Sequence, residues 1–136
     1  MSHNFYDDEI KQMEPGLERA ALRVLAFHIG KEQTIKRLDL VEDLRSLGFG
    51  ANLAPVTSDR HMRAAVAELR KLGHLVCSSS GDGGYYLARD LAEYAEFAQV
   101  EYRSKIIDMA ETLRAMDQAA AKRFGGDLPA EQLSLI

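Results

Sequence analysis

The feature of this sequence that most restricts its fold is an amphipathic segment that begins near Thr57 and stops at Gly73. Its apolar residues recur in steps of three and four, which is the spacing of one buried face of an α-helix. Thr57 or Ser58 can cap the start of this helix, and Gly73 is suited to end it. The residues of the predicted buried stripe are Met62, Ala65, Val66, Leu69 and Leu72. The pattern therefore predicts a helix that packs one face against a core.

Two helices are predicted before this segment and one after it. The first begins near Pro15, a residue suited to a first turn, and ends at Gly30. The second covers about residues 36–47, where apolar side chains recur at three-residue spacing. The last runs from about Asp90 to Phe124 and has no Pro or Gly in its interior. The amphipathic segment described first is accordingly the third predicted helix.

A short β-hairpin is predicted directly after the third helix. Residues 74–79 and 85–88 have the composition of two short strands, and the glycine-rich residues 80–84 form the turn between them. The glycines expected to supply positive-φ positions are Gly81, Gly83 and Gly84. Three helices, a hairpin and a long helix make a mainly α fold with a minor α+β part.

The order of three helices followed by a hairpin is that of a winged helix-turn-helix domain, with the hairpin as its wing. The predicted regions are a flexible N-terminal arm over residues 1–14, a winged-helix domain over 15–89, a long dimerisation helix over 90–124 and a flexible tail over 125–136. In such a domain the third helix fits the major groove, and the hairpin can touch the flanking backbone. The architecture therefore predicts double-stranded DNA as a partner.

Positive charge is concentrated on the third helix, although the whole chain is acidic. The formal net charge is −4, whereas residues 57–74 carry four Lys or Arg against two acidic side chains, a local balance of +2. A DNA-binding protein can be acidic overall when its basic residues share one face, and a helix N-terminus also attracts phosphate. The predicted DNA-contacting residues are Ser58, Arg60, His61, Arg63, Ala64, Ala67 and Lys71.

Two observations keep another use of this fold open. The predicted wing has no Lys or Arg at its tip, and Asp82 there would repel phosphate. Charged residues opposite an apolar stripe are also the ordinary solvent-facing side of an amphipathic helix. A winged-helix domain that binds protein instead of DNA therefore stays an alternative.

The long last helix carries an apolar stripe of its own. Its residues recur in steps of three and four and are Tyr102, Ile106, Met109, Leu113 and Met116. A helix of roughly 30 residues is about 45 Å long at ~1.5 Å per residue, which is more than a small three-helix core needs. An exposed stripe favours a partner helix, and a second copy of the chain is the simplest one. The sequence therefore predicts a homodimer.

The remaining chemistry in the sequence is sparse. The single cysteine, Cys77, excludes an internal disulfide and fits a reducing cytoplasm. The four histidines show no metal-ligand spacing, and no nucleophile-elbow pattern occurs. No stretch reaches transmembrane length, and the first residues lack the features of a signal peptide. We expect a cytoplasmic protein that is not an enzyme, takes no cofactor or metal and does not contact a membrane.

Residues 57–90 resemble the small winged-helix proteins of bacteriophages and prophages. The motifs that carry the resemblance are the helix start SDRHMR, the segment LRKLG, the strand VCS and the return GYYLA. The resemblance implies a winged-helix fold and DNA binding, with the two tyrosines packing rather than binding, and it extends only loosely into the long helix. The residues that match by position are Asp59, Arg60, Arg63, Gly84, Tyr85 and Tyr86.

The last five residues, QLSLI, resemble the peptide by which bacterial replication and repair proteins dock on the sliding clamp. The usual form of that peptide is Gln-Leu-Ser/Asp-Leu-Phe, and a Gly-Gly break and a proline separate QLSLI from the long helix. A short accessible segment of this kind becomes ordered on binding. The residues that match are Gln132, Leu133, Ser134 and Leu135, and Ile136 stands in place of the usual Phe. The resemblance implies clamp docking, weakened by the aliphatic last residue.

These observations together predict a dimeric, phage-related winged-helix protein that acts in or near DNA replication. Its third helix would bind DNA, and its tail would raise its local concentration at the sliding clamp. A dimeric transcriptional regulator of the same fold is one alternative, for which a palindromic site would be expected. A winged-helix adaptor between proteins is the other.

Overall fold

The computed structural model describes residues 5–81 and 83–126. Its helices are α1 (Phe5–Lys11), α2 (Leu17–Leu25), α3 (Arg37–Ser46), α4 (Pro55–Lys71), α5 (Leu91–Ala98) and α6 (Ser104–Phe124). Its strands are β1 (Val76–Ser78) and β2 (Tyr85–Leu87), and its other turns are a 3-10 turn (Lys31–Gln33) and a π-helical turn (Gln99–Arg103). The predicted mainly helical class, the small antiparallel sheet and the long C-terminal helix are confirmed.

The chain divides into two compact units, a first unit that ends at Ala95 and a second unit that begins at Glu96. The core of the first unit forms where α2, α3 and α4 meet and the sheet closes one end. Its most deeply buried side chains, each at most 2 % exposed, include Leu22, Leu25, Leu40, Leu44, Met62, Leu69, Val76 and Leu87. Burial of this apolar surface is the main term that stabilises the unit.

The predicted stripe of the third helix is largely confirmed in α4. Met62, Ala65, Val66 and Leu69 are buried, whereas Leu72 is 61 % exposed. The prediction that Leu72 is buried was wrong: it is the C-cap of α4, it keeps helical backbone geometry, and at this end of the helix the core no longer covers its side chain. The chain then turns through Gly73, whose φ is +93°.

Two predicted helix boundaries were wrong, namely the end of the first helix and the start of the third. The first predicted helix stops at Leu25 rather than Gly30, because residues 28–30 pair with β2: Gly30 N–H donates to the Leu87 carbonyl, and Leu87 N–H donates to the His28 carbonyl. The third begins at Pro55, with Ala54 as its N-cap and no side-chain cap. Neither Thr57 nor Ser58 is therefore the cap.

The predicted flexible arm over residues 1–14 contains helix α1, which is a correction. Tyr6 and Ile10 on this helix are 1 % and 6 % exposed and belong to the core of the first unit. The Tyr6 hydroxyl donates a 2.6 Å hydrogen bond to the Ala88 carbonyl, and Glu9 meets His74 Nδ1 at 2.9 Å. These apolar and polar contacts to distant residues hold α1 in place, and local sequence pattern does not reveal them.

Strand β2 lies in the middle of the backbone pairing. On one edge it pairs antiparallel with β1, with Cys77 opposite Tyr86. On its other edge Tyr85 forms an antiparallel bridge with Ile35, through hydrogen bonds of 2.8 and 2.9 Å. The hairpin is thereby tied to the segment between α2 and α3.

The turn glycines behave as predicted at two of three positions. Gly81 and Gly83 have φ of +96° and +70°. Gly84 does not have positive φ, and its role is close approach, because a Cβ there would lie 3.0 Å from Thr34 Cβ. Residue 84 is therefore small for packing reasons and not for backbone conformation.

The connection between α3 and α4 is organised by one arginine. Arg45 Nη1 donates hydrogen bonds to the Gly50 carbonyl (2.8 Å), the Leu53 carbonyl (2.9 Å) and Ser58 Oγ (2.9 Å). Ser58 Oγ in turn donates to the Gly50 carbonyl at 3.0 Å. This network fixes the first turn of α4 relative to α3 and explains the burial of Ser58.

Candidate nucleic-acid interface

The outward face of α4 presents most of the residues predicted to contact DNA. Of the seven predicted residues, the exposed ones are Arg60, His61, Arg63, Ala64, Ala67 and Lys71. Ser58 is only 7 % exposed, and its hydroxyl is engaged by Arg45 and Gly50. Because that side chain points into the α3–α4 connection, Ser58 does not belong to the exposed face.

The four basic residues Arg60, Arg63, Arg70 and Lys71 of α4 have different surroundings. Arg70 Nε donates a 2.8 Å hydrogen bond to the Val76 carbonyl, and its Nη2 lies 3.3 Å from Ser78 Oγ. Arg70 therefore fastens β1 to α4. Arg60, Arg63 and Lys71 are exposed along the outward face and can meet an external anion.

Asp59 links two arginines that come from different helices. Arg63 Nε donates a 3.0 Å hydrogen bond to Asp59 Oδ2, and Arg37 Nε forms an ion pair with Oδ1 at 3.1 Å. Arg37 is the first residue of α3, and Arg63 lies one turn beyond Asp59 on α4. We call these three side chains the Asp59 cluster. It brings a fourth exposed cation, Arg37, to the basic face.

Tyr85 on β2 lies in the electrostatic surroundings of the same cluster. Burial raises the pKa of the Tyr85 phenol above its usual value, and the positive charges of Arg70 and Arg37 oppose that rise. The phenol therefore stays protonated at neutral pH. Its partial burial agrees with the expectation that this tyrosine packs.

Arg37 and Tyr85 are the residues of this face that the sequence analysis did not assign to it. Arg37 opens a helix remote in sequence from Asp59, so only the packing of α3 against α4 reveals their contact. An arginine at the start of a predicted helix was the available signal, and it is a weak one. Lys36, the N-cap of α3, is likewise exposed next to Arg37.

The hairpin contributes little positive charge to this surface. Its turn closes with a hydrogen bond of 2.9 Å from Ser79 N–H to the Gly84 carbonyl, and Ser80, Gly81 and Gly83 are exposed. Asp82 lies outside the described residues. The described part of the tip therefore offers hydroxyl and backbone groups rather than cations to a phosphate.

The second unit presents the predicted dimerisation residues to solvent. Ile106, Met109 and Met116 are 50 %, 70 % and 66 % exposed, and Tyr102 and Leu113 are 43 % and 37 % exposed. The ring of Tyr102 also packs edge-on against Phe97, with 5.8 Å between the ring centroids. The stripe is thus an exposed apolar surface that begins at Tyr102 in the π-helical turn and continues along α6.

The remaining predictions concern metal binding, Cys77, membrane contact and the C-terminal tail. Across residues 5–81 and 83–126, no group of three or more His, Cys, Asp or Glu could hold a metal ion. Burial raises the pKa of the Cys77 thiol to about 11, so it is protonated at neutral pH. None of the helices in the described part of the chain is long and apolar enough to cross a membrane. The predicted clamp-docking residues 132–136 lie outside the described residues.

The fold and the basic face define a mainly helical protein with a small antiparallel sheet and an exposed cationic helix. Comparison with protein-family models, with curated proteins and with solved structures finds no match to this chain.

Proposed function

We propose that this chain is a winged-helix protein that binds double-stranded DNA through α4. The observation that carries the proposal is the exposed face on which Arg60, Arg63 and Lys71 are joined by Arg37 from α3. An α-helix fits the major groove, where arginine and lysine contact guanine edges or phosphates. The buried stripe on its other side holds it on the core, so the basic face is presented rigidly.

The element order supports the winged-helix assignment. Helices α2, α3 and α4 precede the β1–β2 hairpin, and the bridge between Ile35 and Tyr85 connects the segment before α3 to that hairpin. In this arrangement α4 is the recognition helix, α3 crosses beside it, and the hairpin is the wing. The polar tip of the wing would contact the sugar-phosphate backbone through hydroxyl and N–H groups rather than through charge.

The exposed stripe on α6 supports a homodimer as the oligomeric state of the proposed protein. Apolar side chains exposed at steps of three and four match the seam of a helix pair, and Met109 and Met116 are its most exposed members. A homodimer would place two α4 helices on one duplex. Two joined sites bind more tightly than one because the second contact is intramolecular.

The proposed biological setting is DNA replication, in a phage-related and cytoplasmic context. It rests on the resemblance of Gln132–Ile136 to the sliding-clamp peptide. The test is binding of a labelled bacterial clamp to the full chain and to a version ending at Glu131. Binding that is lost with the last five residues supports the setting, and equal behaviour of the two versions at high micromolar concentration contradicts it.

DNA binding itself is tested by anisotropy of a labelled duplex of about 25 base pairs, long enough for two half-sites one turn apart. Arg60→Ala combined with Arg63→Ala is expected to weaken binding by at least about tenfold, because each lost contact is worth ~1–3 kcal/mol. The matched control removes two exposed cations elsewhere, Lys11→Ala with Arg114→Ala. Equal losses in both double variants would mean that α4 is not the contact surface.

A second candidate is an adaptor that binds protein through the winged-helix unit. The observation in its favour is a shallow apolar groove of about 410 Å³ between α2 and α3, lined by Val24, Phe27 and Leu47 among others. Phe27 is 81 % exposed and Leu47 is 57 % exposed. Absence of duplex binding at low salt would favour this function. A transcriptional regulator would instead select a palindromic site from random duplexes.

A further inference from the structure

We propose that Asp59, although negatively charged, is a positioning residue that increases DNA affinity by holding Arg37 and Arg63 ready for phosphate contact. This inference rests on the proposed DNA-binding function and deepens it. It concerns one carboxylate on the basic face, which simple charge counting treats as unfavourable. The geometry predicts the opposite sign for its effect.

The first argument is the geometry of the bridge. One carboxylate spans two helices, with Oδ1 3.1 Å from Arg37 Nε on α3 and Oδ2 3.0 Å from Arg63 Nε on α4. Each oxygen meets a different guanidinium, so neither arginine displaces the other. Since the two contacts share one rigid carboxylate, they fix the distance between the two cations.

The second argument is the difference in exposure within the Asp59 cluster. The Asp59 side chain is 15 % exposed, whereas Arg37 and Arg63 are 49 % and 53 % exposed. Oδ1 is buried and accepts no aligned hydrogen bond from any described residue, so the charge of Arg37 is what compensates its burial. The carboxylate thus lies beneath the surface and the guanidiniums lie above it. An approaching phosphate would meet a net charge of one positive unit with the cations outermost.

The third argument is conformational entropy. A long arginine side chain on a protein surface samples many rotamers and loses that freedom when it binds an anion. Arg63 is held at Nε by a hydrogen bond to Asp59 and Arg37 by an ion pair with it, so each has lost part of this freedom in the free protein. Pre-organisation of two arginines therefore offsets the electrostatic cost of one buried acid.

A simpler account of Asp59 makes the contrary prediction. If Asp59 only neutralises its neighbours, or only repels the backbone, removing its charge must strengthen DNA binding. The two accounts differ in the sign of one measurable change. A positioning role also requires that the effect disappear when the two arginines are absent.

The experiment measures duplex affinity and its salt dependence for the full chain and for Asp59→Asn, which keeps the side-chain shape and removes the charge. We expect Asp59→Asn to bind about 3- to 10-fold more weakly and with a shallower dependence on salt, because fewer phosphates are neutralised. The matched control is Glu68→Gln, an exposed acid on the same helix, which is expected to bind as tightly as the parent chain or more tightly. Thermal unfolding by circular dichroism verifies that both variants are folded.

A double-mutant cycle separates positioning from folding. In the background Arg37→Ala with Arg63→Ala, Asp59→Asn is expected to cause no further loss of affinity. If Asp59→Asn binds as tightly as the parent chain, or more tightly, the inference is wrong and the proposed function stands. If the parent chain binds no duplex at low salt, the proposed function and this inference fall together.

Discussion

Helices α4 and α6 are both long and amphipathic, but they place their apolar residues in opposite environments. In α4, Met62, Val66 and Leu69 are at most 1 % exposed, because α2, α3 and the sheet of the same unit cover them. In α6, Met109 and Met116 are 70 % and 66 % exposed. Similar spacing in sequence therefore predicts an amphipathic helix in both cases. The spacing does not reveal whether the apolar face is covered by the same chain or left exposed to a partner.

The largest difference between the two helices is expected in stability. Leu69→Ala in α4 should lower the free energy of unfolding by about 2–5 kcal/mol, because it leaves a cavity in a filled core. Met109→Ala in α6 should change it by less than ~0.5 kcal/mol when measured at a concentration where the chain is monomeric. Urea denaturation followed by circular dichroism compares the two. Equal losses would mean that the α6 stripe is covered within one chain.

Self-association should show the reverse dependence. Met109→Glu with Met116→Glu is expected to weaken dimerisation by roughly 100-fold or more, because two charges would be buried in the seam. Sedimentation equilibrium measures the change, with Gln118→Glu on the polar side of α6 as the control. A parent chain that sediments as a monomer at high micromolar concentration would contradict the role given to the stripe.

The connection that positions α4 offers a smaller test. Gly50 has a φ of +79°, and a Cβ there would lie 2.6 Å from Ser58 Oγ. Gly50→Ala should therefore destabilise the protein by roughly 2–3 kcal/mol through backbone strain and the clash with Ser58. Gly48→Ala is the control, because φ there is +96° but no atom lies within 4 Å. It should cost about 1 kcal/mol, from strain alone.

The smallest expected effect is a dependence of stability on alkaline pH. Burial raises the pKa of the Cys77 thiol from 9.0 to about 11. The unfolded chain therefore loses this proton first, so stability is complete below about pH 9 and falls as pH rises towards the folded pKa. The loss at about pH 10.5 should be on the order of 1–2 kcal/mol.

The contribution of Cys77 is isolated by comparison with Cys77→Ala. Both proteins are unfolded in urea at about pH 8.5 and about pH 10.5. The buried Tyr6 phenol, whose pKa is also raised by burial, lowers the stability of both proteins alike at the higher pH, so that only the difference between them reports on Cys77. The parent chain should lose more stability than the variant between these two values. An equal loss in both would show that the thiol ionises as readily in the folded protein as in the unfolded chain.

The sequence was sufficient for the elements whose pattern is local. The stripe of α4, the hairpin and the long last helix follow from apolar spacing and glycine positions, and the structure has all three. Helix α1 was not predicted, because Tyr6 and Ile10 gain their stability from contacts to residues such as Ala88, far along the chain. Local pattern carries no information about such contacts.

The candidate site shows the same division between local and distant information. The exposed residues of α4 could be predicted from helical periodicity, since they lie opposite the buried stripe. Ser58 was assigned wrongly, because its burial depends on Arg45 in another helix. Arg37 was overlooked for the same reason, since its contact with Asp59 exists only once α3 and α4 have packed.

In the proposed function, the outward face of α4 contacts DNA and the stripe of α6 does not. The most direct measurement is a titration of ¹⁵N-labelled full chain with an unlabelled duplex at low salt, followed by two-dimensional NMR. We predict the largest amide shifts at Arg37, Arg60, Arg63 and Ala64, with the amides along the α6 stripe unchanged. Shifts confined to the groove beside Phe27, or no shifts at all, would mean that α4 does not contact DNA.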